Sequence, residues 1–419
     1  MAAGYLEILR AKHAARLLTG TLVGRLPNAT AAIAIVLFVR AEGGTYSLAG
    51  ALAAVYGVAN AVGQPLLGRL VDVHGQPRIQ LPAALVSALA MAAFAFVGTD
   101  PLPLAYTTVA AAGLFTPPLE GGLRALWPAV LRREDQVHTA YAMDAVAQEV
   151  MFTVGPLLVT LCVSVWSAQG ALLLLNAVGV VGALSVVVSP PSRAWRSAPR
   201  AAHWLGALRS PGLLALLGAF LFIGVALGSI TVASVPYADD HGGDVVYGWL
   251  MAALGLGALV GGVVYGARQW AGPPERRLRG LVALLAVCYL PLTLMPGAVA
   301  MVALTALAGV FLAPAIACAF VIVDRHAPRG TVTEAFSWLV TTFTVGASVG
   351  TGLAGPVVEA GGAPWGFTVP AVAGAVSLVV LLATGRVMAV PVGSGVVAAS
   401  SENDPNRAAE PRFSSGDRA

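Results

Sequence analysis

Charge is scarce in this chain. Asp, Glu, Lys and Arg make up 11% of its 419 residues, where a soluble domain carries roughly 25%. So few charges cannot cover the surfaces of the roughly three water-soluble domains that this length would otherwise suggest. Disorder is excluded as well, because it needs low hydrophobicity and high charge, and here 58% of residues are hydrophobic. Lysine is nearly missing: Lys12 is the single lysine among 24 basic residues, a bias that fits a GC-rich genome. The net charge of +4 is no nucleic-acid footprint. Cysteine is rare too. Cys162, Cys288 and Cys318 sit in apolar runs without ligand-like spacing, so they are expected to be buried thiols, with no disulfide framework and no metal site. There is no GxxxxGK[ST] loop for ATP and no nucleophile elbow. No cofactor and no enzymatic activity are expected.

What the chain has is apolar runs long enough to cross a bilayer, each about 20 residues. Twelve are expected, at 17–40, 46–67, 79–98, 102–127, 139–164, 168–189, 211–236, 246–267, 279–296, 298–323, 333–358 and 364–388. The first exceeds the length of a signal-peptide core and is followed at once by others, so it reads as an uncleaved span. The arginines set the orientation. With the N-terminus inside, inner segments hold Arg10, Lys12, Arg16, Arg69, Arg78, Arg132, Arg133, Arg193, Arg196, Arg200, Arg209 and the later basic residues, while outer segments hold only Arg40. That is a positive-inside bias with both termini cytoplasmic. The expected organisation is an all-α membrane protein with an N-terminal six-helix bundle (1–189), a Pro-, Ser- and Arg-rich cytoplasmic loop (190–210), a C-terminal six-helix bundle (211–389) and a disordered cytoplasmic tail (390–419).

An internal repeat supports the division. Ala112-Gly113-Leu114-Phe115 and Pro118 recur as Ala308-Gly309-Val310-Phe311 and Pro314, an offset of 196. Gly50, Gly63 and Gly68 recur as Gly248, Gly261 and Gly266 at 198, and Ala140 and Gly155 as Ala335 and Gly350 at 195. Two parallel six-helix repeats are one way to build a transporter.

After the second run the chain reads Gly68-Arg69-Leu70-Val71-Asp72-Val73-His74-Gly75-Gln76-Pro77-Arg78. This resembles the G-x-L-x-D-x-x-G-x-x-R loop signature of the major facilitator superfamily. Gly68, Leu70, Asp72, Gly75 and Arg78 match, while Val73 and Gln76 stand where basic residues are usual. The resemblance implies a two-bundle fold of twelve helices, transport by alternating access, and a latch in which Asp72 meets cations or a helix N-terminus. Val154-Gly155-Pro156 in the fifth span resembles part of the antiporter motif of the drug:proton exporters, although a proline kink would serve packing equally. The arginine those exporters carry four residues before the glycine of span four is Val109 here, which departs from their coupling scheme.

Ionisable residues inside a membrane are functional candidates because burial is costly. Arg25 lies about 12 Å into span one, and Glu149 about 15 Å into span five. Glu120 and Arg124 are four apart on one face of span four, and Asp144 is a turn into span five. The expectation is that these charges form one network on the inner half of the bundle, in which Arg25 holds Glu149 or Glu120 ionised in one state, and that withdrawing it lets the carboxylate take a proton. Glu120 and Arg124 read as a static pair nearer the cytoplasmic rim, and Asp144 as paired or snorkelling near the surface. The second half has no equivalents: at the offset of 196, Glu120 and Arg124 become Ile316 and Phe320. Asn28, Asn60, Gln64, Gln148, Trp338 and Thr342 are candidates for a substrate-cavity wall, with helix–helix hydrogen bonding as the alternative role for the amides.

The functional expectation is a secondary transporter in a bacterial plasma membrane that exports a small, partly apolar molecule in exchange for protons. It is expected to act as a monomer in the lipid bilayer. Uptake or facilitated diffusion of a sugar or organic acid, and a non-transporting sensor of the same fold, stand as alternatives.

Overall fold

The computed structural model describes residues 2–131, 133–199, 205–268 and 270–389. Arg132, Arg200 and the 390–419 tail lie outside the described residues. Among those described, every regular element is a helix: α1 (Ala2–Arg10), α2 (Ala14–Ala41), α3 (Tyr46–His74), α4 (Gln76–Val97), α5 (Leu102–Leu114), α6 (Leu119–Val130), α7 (Glu134–Val165), α8 (Ala168–Val187), α9 (Pro190–Ala194), α10 (Pro211–His241), α11 (Asp244–Gly266), α12 (Pro274–Tyr289), α13 (Ala298–His326), α14 (Val332–Ala383) and α15 (Gly385–Met388). Local chemistry sets several starts. The Thr45, Ser167 and Ser210 hydroxyls accept the N–H groups of Leu48, Gly170 and Leu213 at the heads of α3, α8 and α10.

Twelve crossings follow, in two pseudo-symmetric six-helix bundles. They are α2, α3, α4, α5 with α6, α7 and α8, then α10, α11, α12 with a 3₁₀ turn at Leu290–Leu294, α13, and the two parts of α14. α14 breaks at Gly362, whose φ of 77° only glycine adopts easily. Crossing four is not the single helix that the apolar run suggested. It is interrupted between Leu114 and Leu119. Thr116 and Pro117 each precede a proline and are pushed out of the helical region, and two N–H donors are lost in succession. Its repeat mate Pro314 stands alone, and α13 runs through it unbroken. The signature segment also departs from a loop. Gly68–His74 is the last part of α3 and α4 starts at Gln76, so the turn is Gly75 alone, with φ 88°.

The repeat is visible in the packing. A Cβ on Gly63 would clash with the Leu114 carbonyl, and one on Gly261 with that of Val310. Gly113 meets the Tyr56 carbonyl and Gly309 that of Leu254 in the same way. In each pair both glycine and partner recur at the sequence offsets. A backbone carbonyl cannot swing aside, so Gly63→Ala and Gly261→Ala should each destabilise the protein by about 1–3 kcal/mol. Thermal unfolding in detergent checks this; unchanged melting of both variants would contradict the packing.

The apolar core is distributed unevenly. One cluster joins the C-terminal bundle to residues at one end of the N-terminal bundle, among them Ile8, Leu17, Leu123, Trp127 and Tyr141. The other end of the N-terminal bundle, with Ile35, Phe38, Leu52, Phe94 and Val109, forms a separate cluster. The bundles therefore share a core at the arginine-rich end and part at the opposite end.

Candidate functional site

Four charged side chains meet inside the N-terminal bundle. Arg25 comes from α2, Glu120 and Arg124 from α6, and Asp144 from α7. The Arg25 Nε lies 2.9 Å from Glu120 Oε1, and its Nη1 donates to Asp144 Oδ1 at 3.0 Å. The Arg124 Nε donates to the other Asp144 oxygen at 2.6 Å, and its Nη2 reaches Glu120 Oε2 at 3.5 Å. Gln148 Oε1 accepts from Arg124 at 3.2 Å. Two cations and two carboxylates thus form a closed, neutral ring. Arg124 and Asp144 are 0% exposed, Arg25 5% and Glu120 17%. Glu120 is the member with a path to solvent.

This arrangement corrects two expectations. Asp144 is neither snorkelling nor near the surface; it is the buried centre of the ring, because α7 begins at Glu134 and carries it about 15 Å along its axis. Glu120 and Arg124 are not an isolated pair at the rim. The broken crossing restarts at Leu119, so both fall in the first turns of a half-helix inside the bundle. The Arg25 guanidinium is engaged by Glu120, one of the two carboxylates expected to meet it, and also by Asp144. Glu149 lies on α7, but its side chain is outside the described residues.

Beyond the ring, at the break in crossing four, lies a polar cluster. Tyr56 and Asn60 donate to Asn28 Oδ1 at 3.4 and 3.1 Å. The Tyr56 and Thr116 hydroxyls are 3.1 Å apart, and Gln64 donates to the Thr116 carbonyl at 3.0 Å. The amides named from sequence therefore join helices, and Gln64 supplies a donor to the interrupted backbone. Trp338 packs half-buried against the shared core, and Thr342 is half-buried on α14. Gly155 packs on the Thr30 methyl of α2, with Pro156 inside a continuous α7.

The arginine-rich end is closed by the signature residues. Both Asp72 oxygens accept backbone N–H groups at the head of α14, from Thr333 at 3.1 Å and Glu334 at 2.9 Å. A carboxylate at a helix N-terminus satisfies orphan donors and meets the positive end of the dipole. Gly68 and Gly121 let α3 and α6 approach Thr333 and Ser337 of the same turns. Arg78 is exposed on the first turn of α4. Gln76, in a position usually basic, is fully buried; it donates to the Gly122 carbonyl at 2.9 Å and accepts from Ser192. α1 adds a strap: Tyr5 of the N-terminal half donates to the Val263 carbonyl of α11 at 3.1 Å. Burial pushes the Tyr5 hydroxyl up to about 12, so it stays a donor at physiological pH.

Sequence reasoning missed the aromatic side of the ring. The Arg124 guanidinium lies 3.8 Å from the Phe320 ring centroid and 5.9 Å from that of Phe336, both in the C-terminal bundle. It also missed Glu275 of α12, which lies 3.5 Å from Arg325 and 3.6 Å from His326. The offset pairing of Arg124 with Phe320 was the available signal for the first. Among the described residues no group of His, Cys, Asp and Glu could hold a metal ion. Cys162, Cys288 and Cys318 are free thiols, the last two buried.

Two parallel six-helix repeats enclosing a discontinuous crossing and a buried charge ring are the build of a membrane transporter. The family model of the Major Facilitator Superfamily matches residues 17–306, and the chain belongs to that family, whose members are transporters rather than enzymes. A search of curated proteins finds no match. Solved structures of the same fold include a bacterial homologue of the iron transporter ferroportin in an outward-facing state (TM-score 0.70, 13% identity, covering 89% of this chain and 99% of that one). They also include the E. coli fucose:proton symporter (0.66, 17%, 88% and 97%) and the human organic anion transporter TETRAN (0.64, 18%, 87% and 97%).

Proposed function

We propose that this transporter exports a small, partly apolar molecule in exchange for protons, by alternating access, in a bacterial plasma membrane with both termini cytoplasmic. The observation that carries the coupling is the closed ring of Arg25, Glu120, Arg124 and Asp144. Ionised, the ring is neutral. Adding one proton leaves an uncompensated positive charge among buried groups, which is costly unless the bundle rearranges and admits water. Proton binding and gate movement are thereby linked. Glu120 is the entry point and Asp144 the buried partner; Glu149, farther along α7, is a further proton-carrying candidate. The arginine-rich end is the cytoplasmic one in this reading, so the conformation is outward-facing, latched by Gly68, Asp72 and Gly75, with Arg78 beside them.

The cavity wall is drawn from both bundles: Asn28, Asn60, Gln64 and Gln148 from the first, Trp338 and Thr342 from the second. An aromatic and apolar second wall suits a partly apolar molecule. Gly155 and Pro156, resembling the exporters' motif, favour export. Uptake of a hydroxylated metabolite is the second reading, favoured by the hydrogen-bonding set Asn28, Tyr56, Asn60 and Thr116. The transporter needs no cofactor and works as a monomer.

The test is substrate-induced proton movement in inside-out vesicles, screened with a panel of drugs and metabolites. Wild type should release protons from the vesicles on addition of a substrate. Glu120→Gln should abolish that release and keep substrate counterflow. A Glu120→Gln protein whose proton movement equals wild type would remove the ring from the coupling path. Substrate flux without any proton movement in wild type would make the protein a facilitator.

A further inference from the structure

Arg124 is held by hydrogen bonds along its edge and by aromatic rings on its face. Its Nε and Nη2 are engaged by Asp144, Gln148 and Glu120, while Nη1 is buried without a hydrogen-bond partner. The face is covered by Phe320 of α13 at 3.8 Å and, farther off, by Phe336 of α14 at 5.9 Å. Tyr141 of α7 completes a three-ring set, with centroids 6.2 Å from Phe320 and 5.9 Å from Phe336; the two phenylalanines are 6.1 Å apart. All four side chains are 0–1% exposed. Arg124 and Tyr141 belong to one bundle, the two phenylalanines to the other.

Arg124 and Phe320 are also equivalent positions of the repeat, 196 residues apart. They meet across the interface that must open when the arginine-rich end opens. Two arginines there would repel, and two phenylalanines would leave no tie to the charge ring. The asymmetric pair is attractive, because a cation is drawn to the face of an aromatic ring.

We propose that the stacking of Arg124 on Phe320 is the joint that transmits the state of the charge ring to the gate, with Phe320 as a positioning residue and Phe336 as its support. With both carboxylates ionised, the neutral ring tolerates a dry aromatic lid. A ring that has gained a proton carries net positive charge, which water solvates better than three hydrocarbon faces. The lid then separates and the arginine-rich end opens. The charged groups facing Arg124 are Arg25 from α2, Glu120 from its own helix and Asp144 from α7. Asp324 of α13 is a further charged group near Tyr141. The inference deepens the alternating-access reading; only its pH arm depends on the proton as coupling ion.

The experiment measures a distance across the gate in the full chain. Spin labels are placed at V73C and R329C, exposed positions on opposite bundles, in a background without Cys162, Cys288 and Cys318, and the protein is reconstituted in nanodiscs from pH 5 to pH 8. Wild type should populate the long distance increasingly as pH falls. Phe320→Leu, which keeps an apolar side chain and removes the π face, should raise the open-to-closed ratio about tenfold at pH 8 and flatten its pH dependence. Phe320→Trp should restore both. Phe336→Leu, the weaker contact, should act in the same direction by a smaller factor, and serves if Phe320→Leu fails to fold. Unchanged populations in Phe320→Leu, or in Phe336→Leu standing in for it, would overturn the joint. An effect that Trp does not rescue would overturn it as a cation–π joint and leave packing alone. Opening by Phe320→Leu with a pH-independent wild type would keep the joint and fail the proton reading instead.

Discussion

Replacing Asp144 by Asn should abolish transport and lower stability by about 3–5 kcal/mol, the cost of removing one partner from a buried ion pair. Asp144 is fully buried and bonds two guanidiniums, at 3.0 and 2.6 Å. An amide of the same shape keeps one acceptor but supplies no charge, so Arg25 and Arg124 share Glu120 alone and one positive charge stays uncompensated. A second substitution discriminates the cause. Asp144→Asn combined with Arg124→Gln restores neutrality and should recover much of the stability, while transport stays lost because the ring can no longer exchange a proton. Thermal unfolding and vesicle flux on the single and double variants read the two effects separately. A single variant that melts and transports like wild type would refute the ring as described.

The second large effect is expected at the latch. Asp72→Ala removes both acceptors from the head of α14 and with them the charged partner of the Thr333 and Glu334 N–H groups. Hydrogen bonds to a charged group contribute about 1.5–3 kcal/mol each, so the closed arginine-rich end should lose on the order of 3 kcal/mol relative to the open one. The signature is conformational: faster labelling of cysteines introduced beneath the latch and a smaller closed population. Asp72→Asn, which keeps one good acceptor, should fall between. Equal labelling of wild type and Asp72→Ala would show that the closed end does not depend on this contact.

Much of the architecture was legible in the residues. The twelve apolar runs, the basic segments between alternate spans and the glycine offsets led to the two-bundle fold, because a bilayer demands long apolar helices and close packing demands glycine at fixed places. Asp72 was readable as a carboxylate that would meet either cations or a helix N-terminus, and the structure selects the second. Arg25, Glu120, Arg124 and Asp144 were all identifiable as charges within spans, and the pairings of Arg25 with Glu120 and of Glu120 with Arg124 were among the expectations; the place of Asp144 between the two arginines was not. Spacing along one helix shows which residues share a face, as for Glu120 and Arg124, but which helix faces them depends on packing angles. Asp144 was misplaced because its helix starts earlier than its apolar run.

The sequence by itself determined the solvent this chain folds in, the number of its crossings, its two-fold repeat and its family, since these follow from composition and short-range pattern. Only the tertiary structure decided that crossing four is broken inside the bundle, that four charges from three helices close into a neutral ring, and that the ring touches the other bundle through Phe320. Those contacts join residues up to about two hundred positions apart. They depend on how glycine-lined helices settle against each other, and no local preference of the chain encodes that.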